Sequence, residues 1–304
     1  MITIKCNLCG SENHRFLFFG RDRQLEIDKT LFRIVECGEC GLVFINPQPG
    51  AEEVAKYYPP NYGPYQENDV FKYGFLSRSV RKFIELFKKI GNYNQKTEHS
   101  GGESINYLDF GCGGGEYLEV VRKLHPSWNL YGLDNNATAC DNATKRGFRV
   151  FCGDAFAVNL PQNFFDVVNM SHVIEHLHNP KGTVREINQM LKSGGALIIS
   201  TPNFDSLAAR IFRSFWFTTD SPRHLFLFTT KTLFRMLREA GFGIKKIEYE
   251  KGPKVEIKSL YHFFGKRDLR INPFLWHLFK PITKRLASFG KSSIIRVVAE
   301  KNQG

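Results

Sequence analysis

Four of the seven cysteines fall into two pairs with the same spacing. Cys6-Asn7-Leu8-Cys9-Gly10 and Cys37-Gly38-Glu39-Cys40-Gly41 each set two thiols three residues apart, with glycine directly behind. On a tight turn both thiolates of such a pair can point at one ion, and the glycine lets the backbone fold beneath it with positive φ. Two such turns complete a tetrahedral site, so Cys6, Cys9, Cys37 and Cys40 are the expected ligands of a zinc ion. With all four positions held by protein, that zinc is structural. The competing readings are two disulfides or four unrelated thiols. Cys112, Cys140 and Cys152 show no such spacing and read as small apolar packing residues.

A second concentration of chemistry is Tyr107-Leu108-Asp109-Phe110-Gly111-Cys112-Gly113-Gly114-Gly115-Glu116. Its glycines let backbone pass close to a ligand and offer amide donors at a helix N-terminus. Alone, such a loop is also compatible with a plain tight turn. Asp134 stands 25 residues after Asp109, at the end of the next apolar run, where a carboxylate can hold a ribose diol. Gly153-Asp154-Ala155 ends a third run, from which a side chain can reach an adenine amino group.

His172-Val173-Ile174-Glu175-His176 spells an inverted zinc-protease motif. That motif needs a helix to bring both histidines to one face, and here it follows a strand and precedes Asn179-Pro180. Ser171 and His172 are therefore expected to leave the strand end and touch a bound ligand, with Glu175 and His176 on the pocket floor. Satisfied structural polar residues are the competing reading. Farther on, Asp220-Ser221-Pro222-Arg223-His224 sits among Phe204, Phe212, Phe215, Trp216, Phe217, Phe226 and Phe228. Seven aromatics over a strand-end site read as a cover that excludes water; ordinary core packing is the alternative.

The elements that must carry these residues alternate. Strands are expected at 105–110, 130–134, 149–152, 165–170 and 196–200, with helices at 116–124, 137–146, 182–191 and 231–240. Strands at 244–249 and 294–299 close the series. This pattern predicts an α/β fold, an open, mostly parallel sheet with helices on both faces. Residues 1–50 form the zinc lobe, with strands near 15–19 and 31–35 and a strand at 41–47 leading out. Residues 51–103 read as a helical connector: a short helix near 51–58, a Pro/Gly/Tyr-rich stretch at 59–65, an amphipathic helix over 75–90 and a polar linker at 91–103. Residues 104–304 make up the main domain.

With 42% hydrophobic and 24% charged residues the 304-residue chain is globular, which excludes disordered and collagen-like classes. The first residues lack the apolar core of a secretion signal and no run reaches the ~18 apolar residues of a membrane span, so a cytoplasmic protein is expected. The net charge of +12 is uneven. Residues 251–292 hold ten Lys/Arg against two Asp/Glu, mixed with Leu260-Tyr261-His262-Phe263-Phe264 and Phe274-Leu275-Trp276-His277-Leu278-Phe279. This insertion reads either as a cap on the substrate pocket or as a peripheral contact with the inner face of a membrane. Nucleic acid is a third partner class, but the zinc lobe carries six basic and six acidic residues, which is not a basic reader.

Taken together, Leu108–Gly115, Gly132-Leu133-Asp134, Gly153-Asp154-Ala155, Phe165–Val168, His172–Leu177 and Leu191-Lys192-Ser193-Gly194-Gly195 resemble a class I S-adenosylmethionine-dependent methyltransferase. The resemblance covers about half the chain, residues 100–250 and the last strand. It implies a Rossmann-like sheet of seven strands in the order 3-2-1-4-5-7-6, the last antiparallel. It implies Asp109, Gly111, Cys112, Gly113 and Gly115 around the methionine part of S-adenosylmethionine, Asp134 with Asn135 at the ribose, and Asp154 with Ala155 at the adenine. Ser171 and His172 complete that pocket. The cluster Asp220…Arg223-His224 resembles relatives that methylate sugars, some nucleotide-linked, and that also carry N-terminal zinc lobes. In those relatives a histidine near this place is the general base. Methyl transfer needs an acceptor aligned with the sulfonium methyl and its proton removed, which suits histidine. His224 is the first expected catalytic residue, with His176 and Glu175 beside it. The expected acceptor is a sugar hydroxyl of glycan or polysaccharide assembly, nucleotide- or lipid-linked. The alternatives are a quinone-type or other metabolite O-methyltransferase, an RNA-modifying protein using the zinc lobe, and a non-catalytic binding fold.

Overall fold

The computed structural model describes residues 1–59 and 104–303. The helix expected over 75–90, the stretch at 60–65 and the linker at 91–103 lie outside the described residues.

The chain opens with a hairpin, β1 (His14–Gly20) against β2 (Phe32–Cys37), and β2 pairs on its other edge with β3 (Val43–Ile45). Both faces of these strands are covered: Phe32, Ile34 and Val35 of β2 and all three residues of β3, Val43, Phe44 and Ile45, are fully buried. A short helix α1 (Ala51–Ala55) follows, ending before the predicted boundary at 58.

The main domain places seven strands in one sheet. In chain order these are β4 (Asn106–Phe110), β5 (Asn129–Asp134), β6 (Arg149–Cys152), β7 (Phe165–Ser171), β8 (Leu191–Pro202), β10 (Phe242–Tyr249) and β11 (Ile294–Lys301). Their spatial order is β10-β11-β8-β7-β4-β5-β6, and only β11 runs against its neighbours. That is the strand order the family resemblance implied. The helices α2 (Glu116–Leu124), α3 (Ala137–Lys145), α4 (Pro180–Met190) and α6 (Thr230–Glu239) pack on the faces. Their starts are written locally. Asn136 and Asn179 cap α3 and α4 with side-chain oxygens that accept from Ala139 N and Gly182 N, and Pro180 supplies the first residue of α4.

Two features escaped the sequence reading. The first is β9 (Phe226–Leu227), two residues that pair antiparallel with β3 and give the lobe sheet its fourth strand. Two residues show no periodicity, so nothing in the sequence announces them. Their pairing extends one apolar core from Leu8 and Phe44 in the lobe to Leu108 and Val168 in the main sheet. The second is a bridge between Cys140 on α3 and Cys152 at the end of β6, whose Cα atoms lie 5.9 Å apart. This corrects the reading of both as separate packing thiols; side chains twelve residues apart meet because α3 folds back beside β6.

The basic insertion folds as α7 (Lys254–Phe263) and α8 (Pro273–Ser288). Helix α7 packs inward, against α5 (Leu207–Phe212) and the two 3₁₀ turns over 213–219. Helix α8 buries Thr283 and Ala287 and leaves Phe274, Leu278 and Ile282 exposed on the opposite face. Among the described residues no helix is long and apolar enough to cross a membrane.

Candidate active site

The loop from β4 to α2 is shaped by its glycines. Gly111, Gly113 and Gly115 have φ of +79°, +53° and +84°, values that L side chains rarely adopt. A Cβ on Gly111 would stand 2.4 Å from Val173 Cγ2, so only glycine lets the loop pass under the segment leaving β7. Most loop amides are spent inside the protein. Gly111 N and Cys112 N donate to the Leu133 carbonyl, Gly115 N to the Cys112 carbonyl and Gly113 N to Asp134 Oδ2. The sequence reading had these amides free for a ligand; the structure uses them to tie the ends of β4 and β5 together. Cys112 turns its thiol away, over Gly132 and Leu118, and packs as an apolar residue. Substituting alanine for Gly111 should weaken S-adenosylhomocysteine binding about tenfold or more and lower the melting temperature, since both the φ and the contact are violated. Calorimetry showing wild-type affinity would dismiss this role.

The acids stand at the carboxyl ends of adjacent strands. Asp109 is buried and accepts from Asn169 Nδ2 at 2.8 Å. Burial pushes its carboxyl up to about 7, against the pull of that hydrogen bond. Asp134, at the end of β5, accepts from Gly113 N and Asn136 N, both at 2.9 Å. Burial raises its pKa and the backbone donors restrain it. Each oxygen keeps a lone pair for a diol. Asn135 is exposed next to it, and Asp154 and Ala155 sit at the exposed turn after β6, where Asp154 Oδ1 accepts from Phe156 N. This is the place where an open α/β sheet binds nucleosides. The pieces fit the nucleoside part of S-adenosylmethionine: an acid on β5, an exposed turn on β6 and a glycine cradle on β4.

From that edge a chain of polar side chains leads to His224. His172 follows Ser171 at the end of β7 with φ +56°, a strained conformation for a non-glycine residue at a strand end. Its Nδ1 donates to Glu175 Oε1 at 3.1 Å, and Thr201 Oγ1 donates to Glu175 Oε2 at 2.9 Å. Residues 174–176 form one 3₁₀ turn, not the helix a protease motif requires. Burial pushes the Glu175 carboxyl up, but the bond from His172 and the neighbouring histidines overcome it and bring it down to about 2. His176 Nδ1 lies 2.9 Å from the Arg223 carbonyl and 2.9 Å from Tyr58 Oη. Desolvation, then His224, lowers His176 to about 4, so its ring is neutral at pH 7. The His176 and His224 rings meet edge to face, centroids 4.6 Å apart.

His224 itself is buried and its Nδ1 lies 2.7 Å from the Thr218 carbonyl. A carbonyl only accepts, so Nδ1 carries the proton and a neutral ring keeps its lone pair on Nε2. Asp220 Oδ2 stands 4.0 Å from that Nε2. Glu175, His176 and His224 bring ligating atoms within 4.8 Å of one another. Each Glu175 oxygen accepts one hydrogen bond, from His172 and from Thr201.

The turn carrying His224 is held from the zinc lobe, which sequence reasoning did not foresee. Arg223, fully buried, donates to Asp220 on its own turn and to Asp22 Oδ1 at 2.6 Å. It also donates to the Tyr57 carbonyl at 3.2 Å. Gly20 approaches so closely that a Cβ there would lie 2.3 Å from Ser221 Oγ. In the sequence Arg223 was visible only as a charge; its lobe partner Asp22 is 201 residues away. Of the seven aromatics, Trp216, Phe226 and Phe228 are fully buried core rather than cover, whereas Phe215 and Phe217 are only partly buried, on the turns over 213–219.

Cys6, Cys9, Cys37 and Cys40 converge as expected. All four sulfurs lie within 4.8 Å of one another, with Cys6 and Cys40 3.4 Å apart and Cys9 and Cys37 3.5 Å apart. Four thiolates around a zinc at ~2.3 Å stand about 3.8 Å from each other. Each pair sits on the same knuckle: Gly10 N donates to Cys6 O and Gly41 N to Cys37 O, with both glycines at φ near +80°. The donor set and the turns fit a structural zinc.

The seven-stranded order, the glycine cradle and the acids on successive strands define a class I methyltransferase fold. The chain belongs to the methyltransferase-domain family, whose model matches residues 75–246. A Ubiquinone biosynthesis O-methyltransferase of Parvibaculum lavamentivorans is 27% identical over 154 residues, 49% of this chain and 53% of that protein. An uncharacterized 37.1 kDa protein in transposon TN4556 of Streptomyces fradiae is 30% identical over 112 residues, 35% of this chain and 32% of its own. The chain thus spans between about a third and a half of the length of these two relatives. Among solved structures, the [4+2]-cyclase SpnF superposes with a TM-score of 0.53 at 20% identity, over 84% of this chain and 98% of that one. A protein described as a cyclase shares the fold, so the reaction has to be argued from the site.

Proposed function

We propose that this protein transfers a methyl group from S-adenosylmethionine to a hydroxyl of a small acceptor, a sugar hydroxyl in glycan or polysaccharide assembly. The observation that carries the reading is His224, whose Nδ1–H is held by the Thr218 carbonyl so that Nε2 is left as a base. When bound, S-adenosylmethionine supplies an already activated methyl group. The work left to the protein is to orient the acceptor, exclude water and take up one proton. His224 Nε2 accepts that proton as the acceptor oxygen is methylated. Asp220 and Glu175, both held ionised, favour the imidazolium that forms, and His176, neutral beside it, adds no competing charge. The ubiquinone biosynthesis O-methyltransferase among the relatives favours a quinone-type acceptor as the second reading. Transfer of labelled methyl from S-adenosylmethionine to a panel of nucleotide sugars and catechols separates the two. No transfer to any sugar, with transfer to catechols, would overturn the sugar assignment.

We also propose that α8 rests on an anionic membrane surface. Its outer face presents Phe274, Leu278 and Ile282 at helical spacing, each at least 49% exposed, with exposed Lys280, Lys284 and Arg285 on the same helix. The full chain should float with phosphatidylglycerol vesicles at low salt and not with neutral ones, and Leu278→Glu should abolish flotation. Recovery of all protein in the unbound fraction at low salt would remove this surface from consideration.

A further inference from the structure

Beside His224 the protein leaves polar groups unanswered. His262, on α7, is only 8% exposed, and among the described residues neither ring nitrogen has a hydrogen-bond partner. On the facing turns, Trp216 Nε1 and Thr218 Oγ1 are equally buried and equally unpartnered, and Thr218 is the residue whose carbonyl orients His224. Native folds satisfy nearly all buried donors and acceptors, so several orphans in one wall call for a ligand that meets them.

The same wall carries two cations that form no ion pair among the described residues, Glu26 alone among the acids bearing on Arg23 from beyond contact. Lys258 lies one helical turn before His262 on the same face of α7, and its Nζ stands 4.4 Å from the Phe217 ring, which in turn lies 5.3 Å from the His262 ring. Arg23 reaches in from the zinc lobe. Its guanidinium lies 4.1 Å over Phe215, and Nε donates to the Ser214 carbonyl. Among the described residues neither cation has a carboxylate within ion-pair distance. Desolvation lowers Lys258 to about 8, with Lys254 adding to it, and lowers Arg23 to about 10. The acids closest to His262, Asp22 and Asp220, are already spent. Asp22 accepts from the amides of Gln24, Leu25 and Ile27 as well as from Arg223, and Asp220 binds Arg223 through both oxygens.

We propose that Arg23, Lys258 and His262 form an anion subsite that holds a phosphoryl group of the acceptor next to the hydroxyl that His224 deprotonates. Half-buried cations flanked by a neutral imidazole offer a polyanion several donors at once and cannot be matched by a neutral acceptor. A terminal phosphate and the diphosphate of a nucleotide- or lipid-linked sugar share this chemistry. The subsite also gives the zinc lobe a direct part in acceptor recognition, through Arg23. It rests on the methyl-transfer reading only in assigning the phosphoryl group to the acceptor.

The test is calorimetry on the full zinc-loaded chain saturated with S-adenosylhomocysteine, with pyrophosphate as the probe. Binding is expected, weakened about tenfold or more in both Lys258→Met and Arg23→Met, with S-adenosylhomocysteine affinity unchanged. Lys258→Arg should stay within about threefold of wild type, which separates charge recognition from a merely structural role. A nucleoside diphosphate and a short prenyl diphosphate, titrated in competition, identify which linked form the site prefers. Absence of pyrophosphate binding, or equal binding by wild type and both methionine variants, overturns the subsite. Failure to bind S-adenosylhomocysteine at all would instead overturn the methyl-transfer reading.

Discussion

His224→Ala should lower methyl transfer by about 10²- to 10⁴-fold, the range a positioned general base contributes, while S-adenosylhomocysteine binds within about threefold of wild type. The split follows from position. The nucleoside elements, Asp109, Asp134 and the glycine loop, lie at the ends of β4 and β5, whereas His224 sits on a separate turn, linked to the end of β7 through His172, Glu175 and His176. Truncating the ring removes Nε2 and leaves the Thr218 carbonyl without its donor, but touches none of the nucleoside contacts. His224→Gln is the informative companion. It can keep a donor toward Thr218 yet cannot accept a proton at neutral pH, so it should be as slow as alanine with a smaller loss of thermal stability. If single-turnover rates of both variants stay within a few-fold of wild type, His224 is not the base and His176 becomes the residue to test.

Removing one of the four clustered thiolates should have the largest effect on stability. Cys37→Ala leaves three thiolates, and structural zinc contributes binding energy of about 10–16 kcal/mol that is folding energy for the segment it holds. Loss of zinc, a melting temperature lowered by more than about 10 °C and near-complete loss of turnover are expected together. The loss of turnover has a structural route. Cys37 ends β2, β2 pairs with β3, and β3 pairs with β9, two residues beyond His224. The β1–β2 loop brings Asp22 to Arg223, and leaving that buried arginine with one partner fewer costs roughly 3–5 kcal/mol. The residues placed at the nucleoside, Asp109, Asp134 and the glycine loop, belong to the main sheet and its first loop, so S-adenosylhomocysteine binding should survive better than turnover. Metal analysis paired with activity decides the matter: a zinc-free variant with full turnover would make the lobe dispensable to the site.

Much of this was legible beforehand because it is local. The alternation of strands and helices is set by periodicity within each segment, and helix α2, strand β6 and the start of α3 fall where the pattern placed them. Both knuckles were readable because four ligands in two tight turns are specified by spacing alone. The acids at the ends of β4 and β5 were readable because a strand end in a parallel sheet has a known address.

What the chain alone could not reveal are the meetings of residues far apart in it. The Asp22–Arg223–Asp220 network, the pairing of β3 with β9, the tautomer of His224 and the bridge between Cys140 and Cys152 all depend on where separate segments come to rest. A lone arginine, a two-residue strand and a histidine ring carry no periodic signal. Their partners are chosen by burial: once packing has removed water, each charge and each N–H must take whichever group the fold has brought within reach, and composition along the chain holds no record of that choice.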